Sequence, residues 1–121
     1  LRPQIAAAIQ TVRSQVRWKP GSAARHLQKR KMRGHLPADA TLDDYEHLIQ
    51  KVLEDARAEV YAYWHKDITY VAVVSVFQER CWLVMFSLDG LMESAYIVEH
   101  PEQYLGQSAF ERLGSLSEVL L

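Results

Sequence analysis

The sequence predicts an α+β fold in which about three N-terminal helices precede a four-stranded antiparallel meander, followed by a short C-terminal helix or coil. The spacing of apolar residues follows the helical period of 3.6 as far as Arg57 and changes to the strand period of 2 from Glu59 onward. The connections between the predicted strands are too short to hold a crossover helix, which excludes parallel pairing among them. The 121 residues, 49% of them hydrophobic, fit a single domain, 1–121, with a helical part (1–57) and a part (58–121) with the sheet and C-terminal segment.

Three helices are predicted in the first part. The first covers residues 3–17, where apolar residues recur at i, i+4, i+7 and i+11: Ile5, Ile9, Val12 and Val16. The second starts at Ser22 as its N-cap and stops at Gly34. The third begins after Thr41, which has Asp44 three residues on as a capping-box partner. Its wide and regular apolar face makes it the most strongly indicated element of the chain.

Four strands are predicted in the second part. They lie at residues 59–64, 69–77, 81–88 and 91–98, and all are rich in Val, Tyr, Phe or Trp. The last two are joined by Asp89-Gly90, a dipeptide typical of tight hairpins. The hairpin signal and the short connections predict that the strands pair in chain order.

The charges are distributed unevenly along the chain. Residues 1–38 contain nine Lys or Arg and no Asp or Glu, whereas residues 39–121 contain the other five basic residues and all 15 acids. Two interpretations are open. Either the two parts neutralise each other in the fold, or the first part forms a basic face for a phosphate-bearing partner.

The basic residues concentrate around His26 in the predicted second helix, residues 22–34. A helical period places four of its polar residues on one face, which we expect to be exposed: His26, Lys29, Arg30 and Arg33. Three other side chains are expected to form the buried side: Ala23, Leu27 and Met32. A titratable imidazole surrounded by cations suits a polyanionic ligand.

Several other classes of function lack support in the sequence. No His-x-x-x-His or similar spacing indicates a metal site, and no motif indicates a cofactor. Cys81 is the one cysteine and is expected to be a buried, inert thiol. No apolar run is long enough to span a membrane and no signal peptide is recognisable, so we expect a soluble protein. Because the chain begins at Leu1 rather than Met, we expect it to be a domain of a longer protein.

The order of these motifs resembles a known family. The pattern Arg-His-x-x-x-Arg at residues 25–30, an amphipathic helix, and a meander ending in Asp-Gly-x-x-x-Ser-Ala-Tyr at residues 89–96 are similar to the barnase–EndoU–colicin–RelE superfamily. The resemblance covers about residues 22–96. It implies a small ribonuclease that needs no metal, of the kind found in many bacterial toxins and toxin modules. It also implies four functional residues: His26, Arg30, Ser94 and Tyr96.

The same resemblance implies partners and a place of action. RNA would be the substrate, and an antitoxin or immunity protein would be a second partner. Cleavage would take place in the cytoplasm, with delivery inside a larger secreted toxin as one route.

The chemistry of RNA cleavage matches these residue types. Attack by a 2′-OH on the neighbouring phosphate needs a base, an acid, and cations that stabilise the phosphorane. His26 can serve as base or acid because the pKa of imidazole is near neutrality. Arg30 can bind phosphate as a fork and Lys29 as a point charge. Tyr96 or Ser94 can orient the nucleotide or stabilise its phosphate.

Further residues complete the predicted site, and a second hypothesis remains open. Arg25, Lys31 and Arg33 are expected to bind substrate together with Lys29. His35 could be a second acid–base group if its loop folds back, or it is a plain loop residue. The alternative function is a non-catalytic nucleic-acid-binding or protein-interaction module that uses helix 22–34. In that case His26 is an ordinary surface histidine.

Overall fold

The computed structural model describes all residues from Leu1 to Leu121 and shows an α+β fold. It has five helices and a six-stranded sheet. The helices are α1 (Arg2–Ser14), α2 (Ser22–Met32), α3 (Leu42–Glu54), α4 (Pro101–Leu105) and α5 (Leu116–Val119). The strands are β1 (Arg17–Trp18), β2 (Glu59–His65), β3 (Ile68–Phe77), β4 (Arg80–Ser87), β5 (Leu91–Ile97) and β6 (Phe110–Ser115). None of the helices has the length and apolar character that a bilayer crossing requires.

The sheet is larger than the sequence predicts. Strands β2 to β5 pair antiparallel in chain order, as expected, but β6 adds antiparallel to β2 and β1 adds parallel to β5. The prediction of a purely antiparallel four-stranded sheet was therefore wrong in extent, because the sheet is mixed and has the order β1-β5-β4-β3-β2-β6. A two-residue strand such as β1 is too short to show any period in sequence.

Some helix ends lie where the capping residues in the sequence predict them, and others do not. The capping box at Thr41 forms as predicted, with Asp44 as its partner. Helix α1 ends at Ser14, earlier than predicted, since the chain must become extended at β1 to pair with β5. The N-cap of α2 is Gly21 rather than Ser22. At the C-terminus, the expected short helix is present as α5, and the strand β6 that precedes it was not predicted.

Both faces of the sheet are covered. The larger core lies between the sheet and helices α1, α3 and α5 and includes Ile5, Ile49, Phe86 and Leu116. A smaller core lies on the opposite face, where Phe110 and the side chains around α4 pack on the strands. Two-sided burial explains why β3 and β4 are nearly continuous apolar runs rather than alternating ones.

The open edge of β5 positions the candidate site. Strand β1 pairs only with Leu91 and Met92, so the rest of β5 has no neighbouring strand on that side. Two side chains satisfy its backbone instead. The Tyr45 hydroxyl donates to the Ala95 carbonyl oxygen at 2.5 Å, and the Ile97 N–H donates to His35 Nδ1 at 3.2 Å. Helix α2 lies beside this edge, and a cleft forms between the two elements.

Candidate active site

The cleft between α2 and β5 contains most of the residues that the sequence analysis selected. Its volume is about 560 Å³. Its walls are formed by Lys29, Arg30, Arg33, His35, Ser94, Tyr96, Ile97 and Glu99. The helix and the strand are far apart in the sequence, so their candidate residues meet only through the fold.

His26 adjoins the cleft and contacts Ser94. The His26 Nδ1 atom lies 3.4 Å from Ser94 Oγ, and the Trp18 ring stacks on the imidazole with 5.6 Å between the ring centroids. The histidine is half-buried. When Nδ1 carries the proton it donates to Ser94, and Nε2 is then left as a free base.

The surroundings of His26 favour its neutral form. Burial is the largest cause that lowers the pKa of His26 below its ordinary value, and the positive charges of Arg25 and Arg30 lower it further. Lys29 acts in the same direction, whereas Glu93 opposes the shift. This shift favours the uncharged imidazole, which is the state that a general base requires.

Arg30 is buried, which corrects the prediction that its face of the helix is exposed. Only 3% of its surface is accessible. Its Nη1 donates to His35 Nδ1 at 3.0 Å, and its Cζ lies 5.6 Å from the centre of the Tyr96 ring. No carboxylate forms an ion pair with it, and its Nε has no hydrogen-bond partner. A buried guanidinium without a counter-ion lies at the cleft wall.

Helix α2 is rotated relative to the prediction. Ser22, His26 and Arg30, spaced four residues apart, face inward beside the half-buried Leu27. Met32, expected on the buried side, is 78% exposed. The apolar stripe of this short helix is weak, so contacts with β5 decide its orientation rather than its own hydrophobicity.

The loop after α2 folds back and brings His35 into the cleft. Two donors, Arg30 Nη1 and the Ile97 N–H, converge on His35 Nδ1. A ring nitrogen that accepts hydrogen bonds carries no proton, so the imidazole is neutral with its proton on Nε2. The Trp82 ring lies nearly perpendicular to the imidazole, with 6.1 Å between the centroids and 84° between the planes.

The charges around His35 agree with this state. Burial is again the largest cause of a lowered pKa, followed by the charges of Arg30, Arg80 and Arg33, while Glu99 acts in the opposite direction. Both Nδ1 contacts are with donors of the protein itself, so this ring nitrogen is already engaged in hydrogen bonds.

Tyr96 lines the cleft and contacts Tyr104, a residue that the sequence analysis missed and that lines a neighbouring cavity. The hydroxyls of Tyr96 and Tyr104 are 2.5 Å apart. Burial, followed by the contact with Tyr104, raises the pKa of Tyr96 far above its ordinary value. Tyr96 therefore stays protonated and can only donate or accept hydrogen bonds. Tyr104 lies in the short helix α4, where no sequence spacing links it to β5.

The other predicted binding residues are distributed unevenly. Lys29 and Arg33 are exposed and line the cleft. Arg25 is exposed outside it, and Lys31 is half-buried and does not line it. Of the nine basic residues in 1–38, only Lys19 forms an ion pair, at 3.7 Å from a carboxylate oxygen of Glu93. Ion pairing between the two parts of the chain therefore leaves the positive charge of α2 almost untouched.

The structure contains no group of three His, Cys, Asp or Glu side chains that could hold a metal ion. Cys81 is buried, and burial raises the pKa of its thiol. The cleft and the adjoining His26 present two imidazoles, three cations, the Glu99 carboxylate and hydroxyl groups. Comparison with protein-family models, curated proteins and solved structures finds no match to this chain.

Proposed function

We propose that this chain is a metal-independent endoribonuclease of toxin type, related to the barnase–EndoU–colicin–RelE superfamily. It would cleave RNA by attack of a 2′-OH on the adjacent phosphodiester. The supporting observation is the buried Arg30 guanidinium, which has no counter-ion and lies one helical turn from the neutral imidazole of His26. Such a pair offers a phosphate site and a base side by side.

The phosphate site follows from the cost of burying a charge. A buried cation without an opposite charge is strongly unfavourable, and a phosphate in the cleft supplies that charge. Lys29 and Arg33 at the exposed walls attract the RNA backbone. Arg30 binds the phosphate in the ground state and stabilises the extra charge of the phosphorane.

Proton transfer is assigned to His26. With Nδ1–H donating to Ser94, Nε2 accepts the proton of the attacking 2′-OH. The imidazolium then returns this proton to the leaving 5′-oxygen, so one group serves first as base and then as acid. Tyr96 and Ser94 remain neutral and donate hydrogen bonds to phosphate oxygens. The products carry a 2′,3′-cyclic phosphate and a 5′-OH.

The test is cleavage of a labelled RNA by the purified chain with and without EDTA. His26→Ala should reduce the rate by about a hundred- to ten-thousand-fold, the usual loss for a positioned proton-transfer group. His47→Ala is the matched control, because His47 is exposed on α3 outside the cleft. An RNA with a 2′-deoxy sugar at the cleaved position should stay intact. Cleavage that requires a metal, or that survives His26→Ala, contradicts the proposal.

A second candidate function is a non-catalytic nucleic-acid-binding or protein-interaction module built on helix 22–34. The exposed Arg25, Lys29 and Arg33, none of which forms an ion pair, favour it. It predicts RNA or acidic-protein binding with a steep salt dependence and no cleavage between about pH 5 and 9. The same assay therefore separates the two functions. Under the first, an antitoxin or immunity protein is the expected partner and the cytoplasm the expected place of action.

A further inference from the structure

We propose that His35 is a positioning residue that holds the Arg30 guanidinium in place without neutralising it, so that the positive charge stays available for a phosphate ligand. The inference deepens the proposed function, on which it rests for the identity of the ligand. His35, a loop residue, makes the hydrogen bond to Arg30 that an Asp or Glu carboxylate commonly makes to a buried arginine.

The geometry shows how His35 itself is held. Its Nδ1 accepts the Ile97 N–H at 3.2 Å, and Ile97 is fixed in the sheet by pairing with Trp82 of β4. The Ile97 bond selects the tautomer with an unprotonated Nδ1 and sets the ring orientation. Arg30 Nη1, at 3.0 Å, shares the single lone pair of the same atom, and this contact places the guanidinium relative to the sheet edge.

The backbone of the loop is anchored as well. The His35 N–H donates to the Arg30 carbonyl oxygen at 2.9 Å, at the end of α2. Arg80 donates to the carbonyl oxygens of Gly34 at 3.1 Å and His35 at 3.3 Å. Gly34 has a φ of +72°, a conformation that glycine adopts without strain and that turns the chain back toward the sheet. His35 is thus attached to α2, β4 and β5 at once.

The choice of imidazole has a chemical consequence. A guanidinium has five N–H donors, and one hydrogen bond to His35 leaves most of them unused, with Nε having no partner at all. A carboxylate at position 35 would hold Arg30 equally well, but it would cancel the charge and compete with phosphate. The neutral His35 imidazole orients the Arg30 guanidinium and leaves its positive charge free to bind an anion.

A matched pair of variants tests this inference. Asn and Asp both place an oxygen close to where His35 has Nδ1, and both lose the same contact with Trp82, so they differ in charge and in the second branch atom, which is an NH2 donor in Asn and an oxygen in Asp. His35→Asn should keep affinity for inorganic phosphate near that of the unmodified chain. His35→Asp should unfold at a higher urea concentration than His35→Asn, because it pairs with Arg30, yet bind phosphate about tenfold or more weakly, equivalent to one lost charge-assisted hydrogen bond.

Phosphate affinity is measured by calorimetry without RNA, so the result does not depend on whether RNA is cut. Equal phosphate affinity of the two variants overturns the inference, as does loss of phosphate binding by a folded His35→Asn. Nitrogen NMR of the unmodified chain supplies a check that needs no variant. It should show an unprotonated His35 Nδ1 near neutral pH and a shift of the Arg30 Nε–H on phosphate addition, and a protonated Nδ1 contradicts the inference. Phosphate binding with no RNA cleavage refutes the ribonuclease and leaves this inference standing.

Discussion

Replacing Arg30 with methionine should make the fold more stable while destroying the phosphate site. Methionine has a similar length, has no charge to desolvate, and packs well against an aromatic ring such as that of Tyr96. The variant leaves no buried acceptor unsatisfied, because His35 Nδ1 still receives the Ile97 N–H. The buried charge is the feature that the substitution removes.

The expected change in the free energy of unfolding for Arg30→Met depends on three contributions, one unfavourable and two favourable to the buried arginine. Desolvation of the guanidinium costs several kcal/mol. Its hydrogen bond to His35 returns about 1.5–3 kcal/mol and its contact with the Tyr96 ring about 1–2 kcal/mol. Replacing buried charged groups with apolar side chains of similar volume is commonly neutral or stabilising, and we expect Arg30→Met to raise the free energy of unfolding by about 1 kcal/mol, or Tm by about 4 °C.

Urea unfolding at pH 7.5 without phosphate measures this difference. Arg25→Met is the control, because Arg25 is exposed on the same helix, and it should change stability by less than about 0.5 kcal/mol. A loss of more than about 1 kcal/mol in Arg30→Met would refute the reasoning. That result would mean that the guanidinium is fully compensated inside the chain and has no need of an external anion.

Two further predictions concern stability. Tyr45→Phe should lower the free energy of unfolding by about 1–3 kcal/mol, because the Tyr45 hydroxyl is the buried donor to the β5 edge, and a loss under about 0.5 kcal/mol in urea unfolding would contradict that role. The lowered pKa values of His26 and His35 mean that the unfolded chain binds more protons than the folded one below about pH 6.5. Their stabilising effect is therefore complete above that pH and is lost as the pH falls, by at most about 1.4 kcal/mol per pH unit for each histidine. The urea midpoint of the unmodified chain should decline in this way from pH 8 to pH 5, and the midpoint of His35→Asn should decline less steeply. An equal pH dependence of the two midpoints would contradict a contribution of His35.

Local patterns account for what could be predicted of the fold. The change of apolar period near Glu59 separates helices α1 to α3 from strands β2 to β5, because each period buries one face of its own element. The capping box at Thr41 and the turn at Gly90, whose φ is +80°, are formed by neighbours in the chain and need no tertiary context. Strands β1 and β6 were not predicted, because they are the edge strands of the sheet and form by pairing with β5 and β2, which are distant in the sequence. The sequence of β6 includes Glu111 and Arg112, which show no alternation of apolar residues.

By itself, the sequence determined the α+β class, the basic character of helix 22–34, and the short set of side chains capable of acid–base and phosphate chemistry. Only the tertiary structure decided which of them turn inward. Helical periodicity assigns faces by polarity and therefore places every arginine in solvent. A guanidinium is buried where partners from distant parts of the chain meet it. For Arg30 these are the Tyr96 ring and His35, and His35 is itself held by a backbone N–H 62 positions further along the chain.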